Sequence, residues 1–322
     1  MSTVNLLHYR EWHGRLRGPW ASVWPITRVA LGALLRRKLF WVMYAVTLLL
    51  FLMFFFGTFL LNWLETQLAG PIRFGNFNLD SDRVMRSVRN LLEVLQGNHH
   101  TFAFFFVYQG GAVMVVLAFT GALLVGDDIT HRSLPFYLAK PLSRWHYIAG
   151  KSLAVAIIVN LLVTVPALIL FAQHGLDDLA YFTDPDYFTA QGRTGPSGYE
   201  LLLAILGFGL VQSVCLAIVL VATATWARRT MPLIMVWTTL FMFIRLLSTI
   251  LVDTLKYDEH WRLIDLWNDV CLVGFGLLGF TESDIRPAPQ PSFFAAGLVL
   301  AGVCILCLIY LNRRTRAVEV VQ

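Results

Sequence analysis

The stretch FWVMYAVTLLLFLMFFFGTFLL, residues 40–61, decides the fold class, because its 22 positions contain no charged residue. At 1.5 Å per residue such a helix is about 33 Å long, enough to cross the roughly 30 Å hydrocarbon core of a bilayer. Five further apolar runs follow, at 102–125, 152–172, 201–224, 231–252 and 293–311. Helices satisfy their own backbone hydrogen bonds in lipid, so we predict an all-α integral membrane protein with six transmembrane helices.

The composition agrees with this prediction. Of the 322 residues, 57% are hydrophobic and 14% are charged, and the mean hydropathy is +0.65. A soluble domain is typically about a quarter charged, so the composition excludes a soluble enzyme and a disordered chain. The net charge is +5, and the basic residues are spread over the segments between the apolar runs and form no single patch. This distribution excludes nucleic acid as a partner and leaves the lipid bilayer as the expected one.

The charges of the connecting segments predict the orientation. The two tails and the loops 126–151 and 225–230 carry 16 Lys and Arg, whereas the other three loops carry 8. By the positive-inside rule both termini are cytoplasmic, in a multi-pass protein of the cell (inner) membrane. The first apolar run is too long for a cleavable signal peptide. We divide the chain into a cytoplasmic tail with an interfacial helix, 1–38, and a six-span domain, 39–322.

The segment PITRVALGALLRRK, 25–38, predicts the interfacial helix. Its apolar residues at helical spacing are Ile26, Val29, Ala30, Ala33 and Leu34. A basic cluster ends the segment, as in amphipathic helices that lie on the inner membrane surface. The alternative is that this segment merely extends the first span into water.

The loop GDDITHRSLPFYLAKPLSRWHYIAGK, 126–151, is too polar to cross the membrane and too rich in Leu and aromatic residues for a solvated linker. Asp127 and Asp128 can cap a short helix, since anions are favoured at a helix N-terminus. Pro141 breaks the segment before the third span. We expect a helix–turn–helix that buries its apolar side chains against the spans or against a second protein.

This loop resembles the corresponding loop of the ABC-2 type transporter permeases, in particular the group associated with multicopper-enzyme maturation, the nitrous-oxide-reductase accessory permeases. The shared pattern is an acid, a small hydroxyl residue, a Leu-rich run, Pro-x-Ser-Arg and a Gly-Lys pair entering the next span. It is carried here by Asp128, Ser133, Leu134, Leu138, Pro141, Ser143, Arg144, Gly150 and Lys151. Family members usually have Gly-Thr where this chain has Arg132-Ser133.

The resemblance implies that the loop is a cytoplasmic coupling helix, which docks into a separate ATP-binding subunit. The candidate ATPase-coupling residues are then Asp127, Asp128, Arg132, Ser133, Pro141, Arg144 and Lys151. The alternative is a loop that snorkels its charges and caps its own helices. The chain contains no GxxxxGK[ST] phosphate-binding loop. We therefore expect no enzyme activity and no cofactor on this chain itself, with ATP and Mg bound by the partner subunit.

The function implied by the resemblance is that of the permease subunit of an ATP-driven exporter, working as a dimer with two ATPase subunits. A homodimer is expected, and a heterodimer with a related permease is the alternative. The alternative is a membrane scaffold or signalling subunit that acts on an external partner without translocating a substrate. Its output surface would be an amphipathic helix predicted at 81–96, where Arg83, Arg86 and Arg89 form a basic stripe beside an apolar face. A transporter driven by an ion gradient would require acidic residues inside the spans, and the predicted spans contain none.

The remaining external segments suggest one more helix. The apolar piece 271–280 is too short to span, which predicts a short re-entrant or surface helix before the last span, as the resemblance also implies. An external cap is the alternative. His99 and His100 are adjacent, but no Cys or pair of acids nearby completes a metal site, so we predict none.

Polar residues inside the spans are the last candidates. Arg245 is costly in hydrocarbon, by roughly 2.5 kcal/mol or more near the bilayer centre. It either lines a translocation path or pairs within the bundle; Asn160 and Gln212 are candidates for the same path or for hydrogen bonds between helices. Gly110 and Gly111 indicate close packing in the second span.

Overall fold

The structure is a computed structural model that describes residues 18–68, 73–74, 77–78, 95, 97–121, 144–184, 187–190, 195–227 and 229–314. In these ranges the chain is an all-α membrane protein, with six helices long and apolar enough to cross a bilayer. Spans one to six are Lys38–Gly57, His99–Gly121, Arg144–Leu176, Gly198–Ala227, Thr230–Thr254 and Phe293–Arg314. The prediction of six transmembrane helices is confirmed. Apart from residue 95, the predicted helix 81–96 lies outside the described residues, as does most of the loop 126–151.

The helices are numbered in chain order. They are α1 (Val23–Leu35), α2 (Lys38–Leu68), α3 (His99–Gly121), α4 (Arg144–Val159), α5 (Val165–Asp177), α6 (Ala180–Thr183), α7 (Tyr187–Ala190), α8 (Gly198–Ala227), α9 (Thr230–Thr238), α10 (Ile244–Thr249), α11 (Leu266–Leu277) and α12 (Phe293–Arg314). A π-helical turn, Asn160–Thr164, joins α4 to α5, and two more, Thr239–Phe243 and Ile250–Thr254, flank α10. The 3₁₀ turns are Pro19–Ser22 and Glu259–Ile264, and a small antiparallel pair consists of β1 (Arg73–Phe74) and β2 (Phe77–Asn78).

Spans two, three and four form the centre of the bundle. In their most apolar windows 56%, 50% and 61% of the residues are buried, against 17–22% in spans one, five and six. Phe106 of span two stacks on Phe208 of span four with ring centroids 4.3 Å apart. The Gln109 amide in span two donates to the carbonyls of Thr47 and Leu162, at 3.1 and 2.7 Å, and so ties spans one and three to the centre. Spans one, five and six consequently present most of their apolar surface outward.

Helix α1 forms over the segment predicted as the interfacial helix, and the chain turns at Arg36 before span one begins, so α1 does not simply extend that span. Ile26, Ala30 and Leu34, one turn apart, are buried, whereas Val29 is 64% exposed. The buried face packs on the start of span three, where the Thr27 hydroxyl donates a hydrogen bond to the Gly150 carbonyl at 2.9 Å. The apolar stripe of α1 is therefore divided between span three and the surface.

Span three begins at Arg144, eight residues before the predicted start at 152. The segment RWHYIAGK looks like loop because it is polar, but His146, Tyr147, Ile148 and Gly150 are buried on its helix. Contact with α1 explains this difference, since tertiary packing overrides the low hydropathy of the segment.

Helix α11 is the predicted short helix before the last span, and it begins five residues earlier than predicted. The Asp265 carboxylate caps it by accepting hydrogen bonds from the backbone of Trp267 and Asn268. At its start, Leu266 and Val270 share a small gap with Cys215 of span four and Cys304 of span six, both near the middle of their spans. An α-helix of 12 residues rises about 18 Å. Helix α11 therefore penetrates the bundle to about half its depth, as a re-entrant helix does and an external cap does not.

Candidate functional site

Two adjoining cavities lie along span two, the upper one facing α11 and the lower one facing span five, with Arg245 common to both. The upper cavity, about 690 Å³, is closed by α11 and the loop before span six, and the lower cavity, about 820 Å³, runs between spans two and five alone. Gly111, Met114 and Arg245 line both. From His100 to Phe119 the lining residues of span two extend over about 28 Å at 1.5 Å per residue. The two cavities together thus follow nearly the full length of a transmembrane helix, and each has the size of a small-molecule site.

Arg245 lies where the cavities meet, three residues past the midpoint of span five. Its helix, α10, is held between two π-helical turns, and a π turn often marks a functional site in a helix. The side chain is exposed to the cavities, and no described residue forms a hydrogen bond or ion pair with its guanidinium. Asp265 is near enough for electrostatic attraction, which lowers the pKa of that carboxyl but does not outweigh the opposing effect of burial. Arg245 therefore lines the cavities and is not paired with a described residue of the bundle; whether the cavities form a translocation path stays a prediction.

The two cavities differ in chemistry. The upper one is lined by His100, Asn268, Asp284 and Arg286 among aromatic residues. Hydrogen bonds from Thr281 lower the pKa of the Asp284 carboxyl, which is therefore ionised at neutral pH. The lining of the lower cavity is mainly aliphatic and aromatic, and apart from Arg245 it is almost free of polar groups. The upper cavity can hold a polar or charged group, and the lower cavity an apolar one.

Two acidic side chains are buried beside the upper cavity, which sequence reasoning missed. Asp269 is completely buried, and neither carboxylate oxygen has a hydrogen-bond partner among the described residues. Burial, and then the negative charge of Asp265, raise the pKa of Asp269 to about 8, so it is protonated at neutral pH. Burial also raises the pKa of Asp265. The signal available in the sequence was two acids four residues apart in an apolar segment, which share one face of a helix.

A buried ion pair holds the chain reversal that leads into α11. Arg262 is only 4% exposed. Its guanidinium donates to the Asp253 carboxylate at 2.6 Å and to the Pro289 carbonyl at 2.7 Å. The end of span five, the 3₁₀ turn and the loop before span six are fastened together at this point.

The structure does not bring the other predicted path residues to these cavities. Asn160 lies in the π turn of span three, where it donates to the Ala156 carbonyl and accepts from Thr164, both at 2.8 Å. Gln212 is fully buried in span four, and its amide has no hydrogen-bond partner among the described residues. Neither residue lines the upper or the lower cavity.

Among the candidate coupling residues, the structure describes Arg144 and Lys151, and both lie on α4. Arg144 is half-buried, whereas Lys151 is 4% exposed, with its ammonium 5.8 Å from the centre of the Tyr147 ring. The other five, Asp127, Asp128, Arg132, Ser133 and Pro141, lie outside the described residues.

The adjacent histidines form part of an aromatic cluster. The rings of His99 and His100 lie 4.2 Å apart, and both contact Phe280, at 4.6 and 4.8 Å between centroids. In the part of the chain that the structure describes, no three His, Cys, Asp or Glu side chains are grouped so that they could hold a metal ion. The geometry supports a packing role, in which the cluster joins span two to the loop after α11.

Comparison with known proteins gives no family: no family model matches the chain, and no curated protein matches it.

Proposed function

We propose that this chain is the membrane-spanning permease subunit of an ATP-driven ABC-2 type transporter, and that the transporter is an exporter. A separate subunit binds ATP and Mg and drives the loop 126–151, and two copies of the chain form the working dimer. The support is the resemblance of that loop, the six spans, and a cavity system of transmembrane length.

The observation that carries this proposal is the junction between the end of the loop and α1. A Cβ atom at Gly150 would lie 2.8 Å from Ile26 and 3.2 Å from the Val23 carbonyl, so the two helices touch here. The Thr27 hydrogen bond to the Gly150 carbonyl spans the same contact. A push on the loop would consequently move span three and α1 together. Lys151, buried at this junction, would act in coupling through α4 rather than by touching the partner.

The two cavities supply a route for the transported molecule. Both cavities lie along span two, and span two contacts span three through the Gln109 hydrogen bond to Leu162. A displacement of span three can therefore change the width of the cavities. This link connects a cytoplasmic loop to a path across the membrane.

The experiment is purification of the tagged chain from its native membrane in mild detergent, with mass spectrometry of the proteins that co-purify and an ATPase assay. We expect a stoichiometric partner with a phosphate-binding loop. Arg144→Ala should weaken its association, whereas Arg229→Ala, at the other predicted cytoplasmic loop, should not. Recovery of the folded chain alone, without ATPase activity, would refute the proposal and favour a scaffold acting through 81–96.

A second pair of variants separates binding from coupling. Gly150→Ala strains the junction with α1, whereas Gly32→Ala adds a methyl group in open space on α1. We expect Gly150→Ala to keep the partner bound but lower the ATPase activity of the complex. Equal activity for the two variants would exclude the junction as the coupling element.

A further inference from the structure

The cavity system has the chemical profile of an amphiphile. The lower cavity is apolar, the upper cavity is lined by charged and polar groups, and Arg245 stands at the boundary between them. A ligand that fits both must carry an apolar body and a polar head, with the head at the level of Arg245.

The charge on the head follows from the Arg245 guanidinium, to which no described residue is bound. Arg245 lines both cavities, and no described residue forms a hydrogen bond or ion pair with its five N–H donors. A guanidinium binds carboxylate and phosphate in a bidentate geometry, and such charge-assisted hydrogen bonds are strong where water is excluded. Arg286 adds a second positive charge to the lining of the upper cavity, where Asp284 is the one acid, and Asp265, which attracts Arg245 from the start of α11, lies outside the lining and makes no ion pair with it. The balance of charge therefore favours an anion.

We propose that this cavity system binds a membrane-soluble amphiphile with a single anionic group, a carboxylate or a phosphate. The anionic group is held by Arg245, and the apolar body occupies the lower cavity between spans two and five. This inference rests on the proposed function in that it names the class of molecule the permease carries, but the binding site itself requires no ATPase.

Gly111 makes the site testable without disturbing the core. It lines both cavities at the level of Arg245, and a Cβ atom there would meet nothing within 4 Å. A larger side chain at this position would project into the free space where the ligand is expected. Gly302 of span six is the matched control, since a Cβ atom there also meets nothing within 4 Å and Gly302 lines neither cavity.

The experiment is photolabelling of the purified full-length chain in nanodiscs with a palmitate analogue that carries a diazirine in its chain. The methyl ester of the same analogue removes the charge, and a lysophosphatidate analogue replaces the carboxylate with a phosphate. We expect the acid to label spans two and five, in competition with unlabelled palmitate, and the ester to label them weakly. A comparison of the carboxylate and phosphate probes assigns the head group.

The variants then test the role of each residue. Arg245→Gln should reduce labelling by the acid by about tenfold or more, the scale of one charge-assisted hydrogen bond, while Arg245→Lys keeps part of it. Gly111→Leu should reduce labelling by every probe. Arg229→Gln and Gly302→Leu should label like the wild-type protein.

Three outcomes would overturn the inference. They are equal labelling by the acid and the ester, unchanged labelling of Arg245→Gln, and a wild-type chain in which unlabelled palmitate does not reduce the labelling. The third outcome is also the one expected if a second copy of the chain covers the groove. The assay contains no nucleotide and no partner subunit. Labelling that persists in a chain that purifies without an ATPase would refute the proposed function and leave the binding site standing.

Discussion

Gly110 and Gly111 are neighbours in span two with opposite surroundings, which makes them a sensitive test of the packing. A Cβ atom at Gly110 would lie 2.0 Å from the Gln212 amide nitrogen and 2.6 Å from the Trp267 ring, and both side chains are buried. A Cβ atom at Gly111 would meet nothing within 4 Å. Gly110→Ala therefore forces side chains of span four and α11 to move, whereas Gly111→Ala does not.

The magnitude follows from the difference between the two variants. Replacing Gly by Ala in a helix gains up to about 1 kcal/mol, and this gain is common to both positions. What remains is the overpacking at Gly110, about 3 kcal/mol, near the upper end of the usual range because the Trp267 ring is rigid. With an unfolding entropy of about 2.1 cal/mol/K per residue, 322 residues lose about 0.7 kcal/mol per degree. Gly110→Ala should thus melt about 4 °C below Gly111→Ala.

The assay is thermal unfolding of both variants in the same detergent, followed by tryptophan fluorescence, with Gly302→Ala as a lipid-facing control. Gly111→Ala and Gly302→Ala should melt at or above the wild-type temperature. If Gly110→Ala melts with them, span two does not approach span four and α11 as described, and the position of the upper cavity would have to be abandoned.

Three further predictions concern a buried acid, a buried ion pair and two facing thiols. Burial raises the pKa of Asp269 to about 8, so the folded protein loses stability as the pH rises from near 4 to near 8. The free energy of unfolding of Asp269→Asn should therefore rise relative to that of the wild type by about 1.4 kcal/mol per pH unit between pH 5 and pH 7. Thermal unfolding measures this difference, and Asp178→Asn, at an exposed position, is the control. Arg262→Gln should lower the free energy of unfolding in denaturant by about 2–3 kcal/mol, because Asp253 loses its partner. A double variant that adds Asp253→Asn should recover part of this loss. If the double variant recovers none of it, the ion pair does not stabilise the fold as described. Mild oxidation should join Cys215 to Cys304, whose sulfurs lie 3.9 Å apart, as a linked peptide in mass spectrometry; full alkylation of both thiols after oxidation would contradict the contact of spans four and six.

Much of the fold was predictable because its signals are local. A bilayer requires about 20 consecutive apolar residues per crossing, and hydropathy along the chain is enough to find them. The amphipathic spacing at 26–34 predicted α1, and the short apolar piece at 271–280 predicted α11. The pair Gly110-Gly111 indicated close packing, but only the structure shows that Gly110 packs and Gly111 faces a cavity, since the two point to different sides of one helix.

The site was less predictable because it depends on which helix faces meet. Arg245 stood out in the sequence, as any charge inside an apolar run does, yet nothing local revealed that it faces span two. Asn160 and Gln212 were grouped with it on polarity alone, and the structure shows Asn160 bonded within span three and Gln212 buried in span four, so that neither lines a cavity.

The sequence by itself determined that the chain crosses the membrane six times, because the length and polarity of each run are properties of consecutive residues. Only the tertiary structure decided what lies inside the bundle. Asp265 and Asp269 belong to a connecting segment, and hydropathy assigns such a segment to water. The chain reversal fastened at Arg262 carries them back to the middle of spans four and six. That reversal depends on the contacts of Arg262 with Asp253 and Pro289, and hydropathy averaged along the sequence contains no information about such contacts.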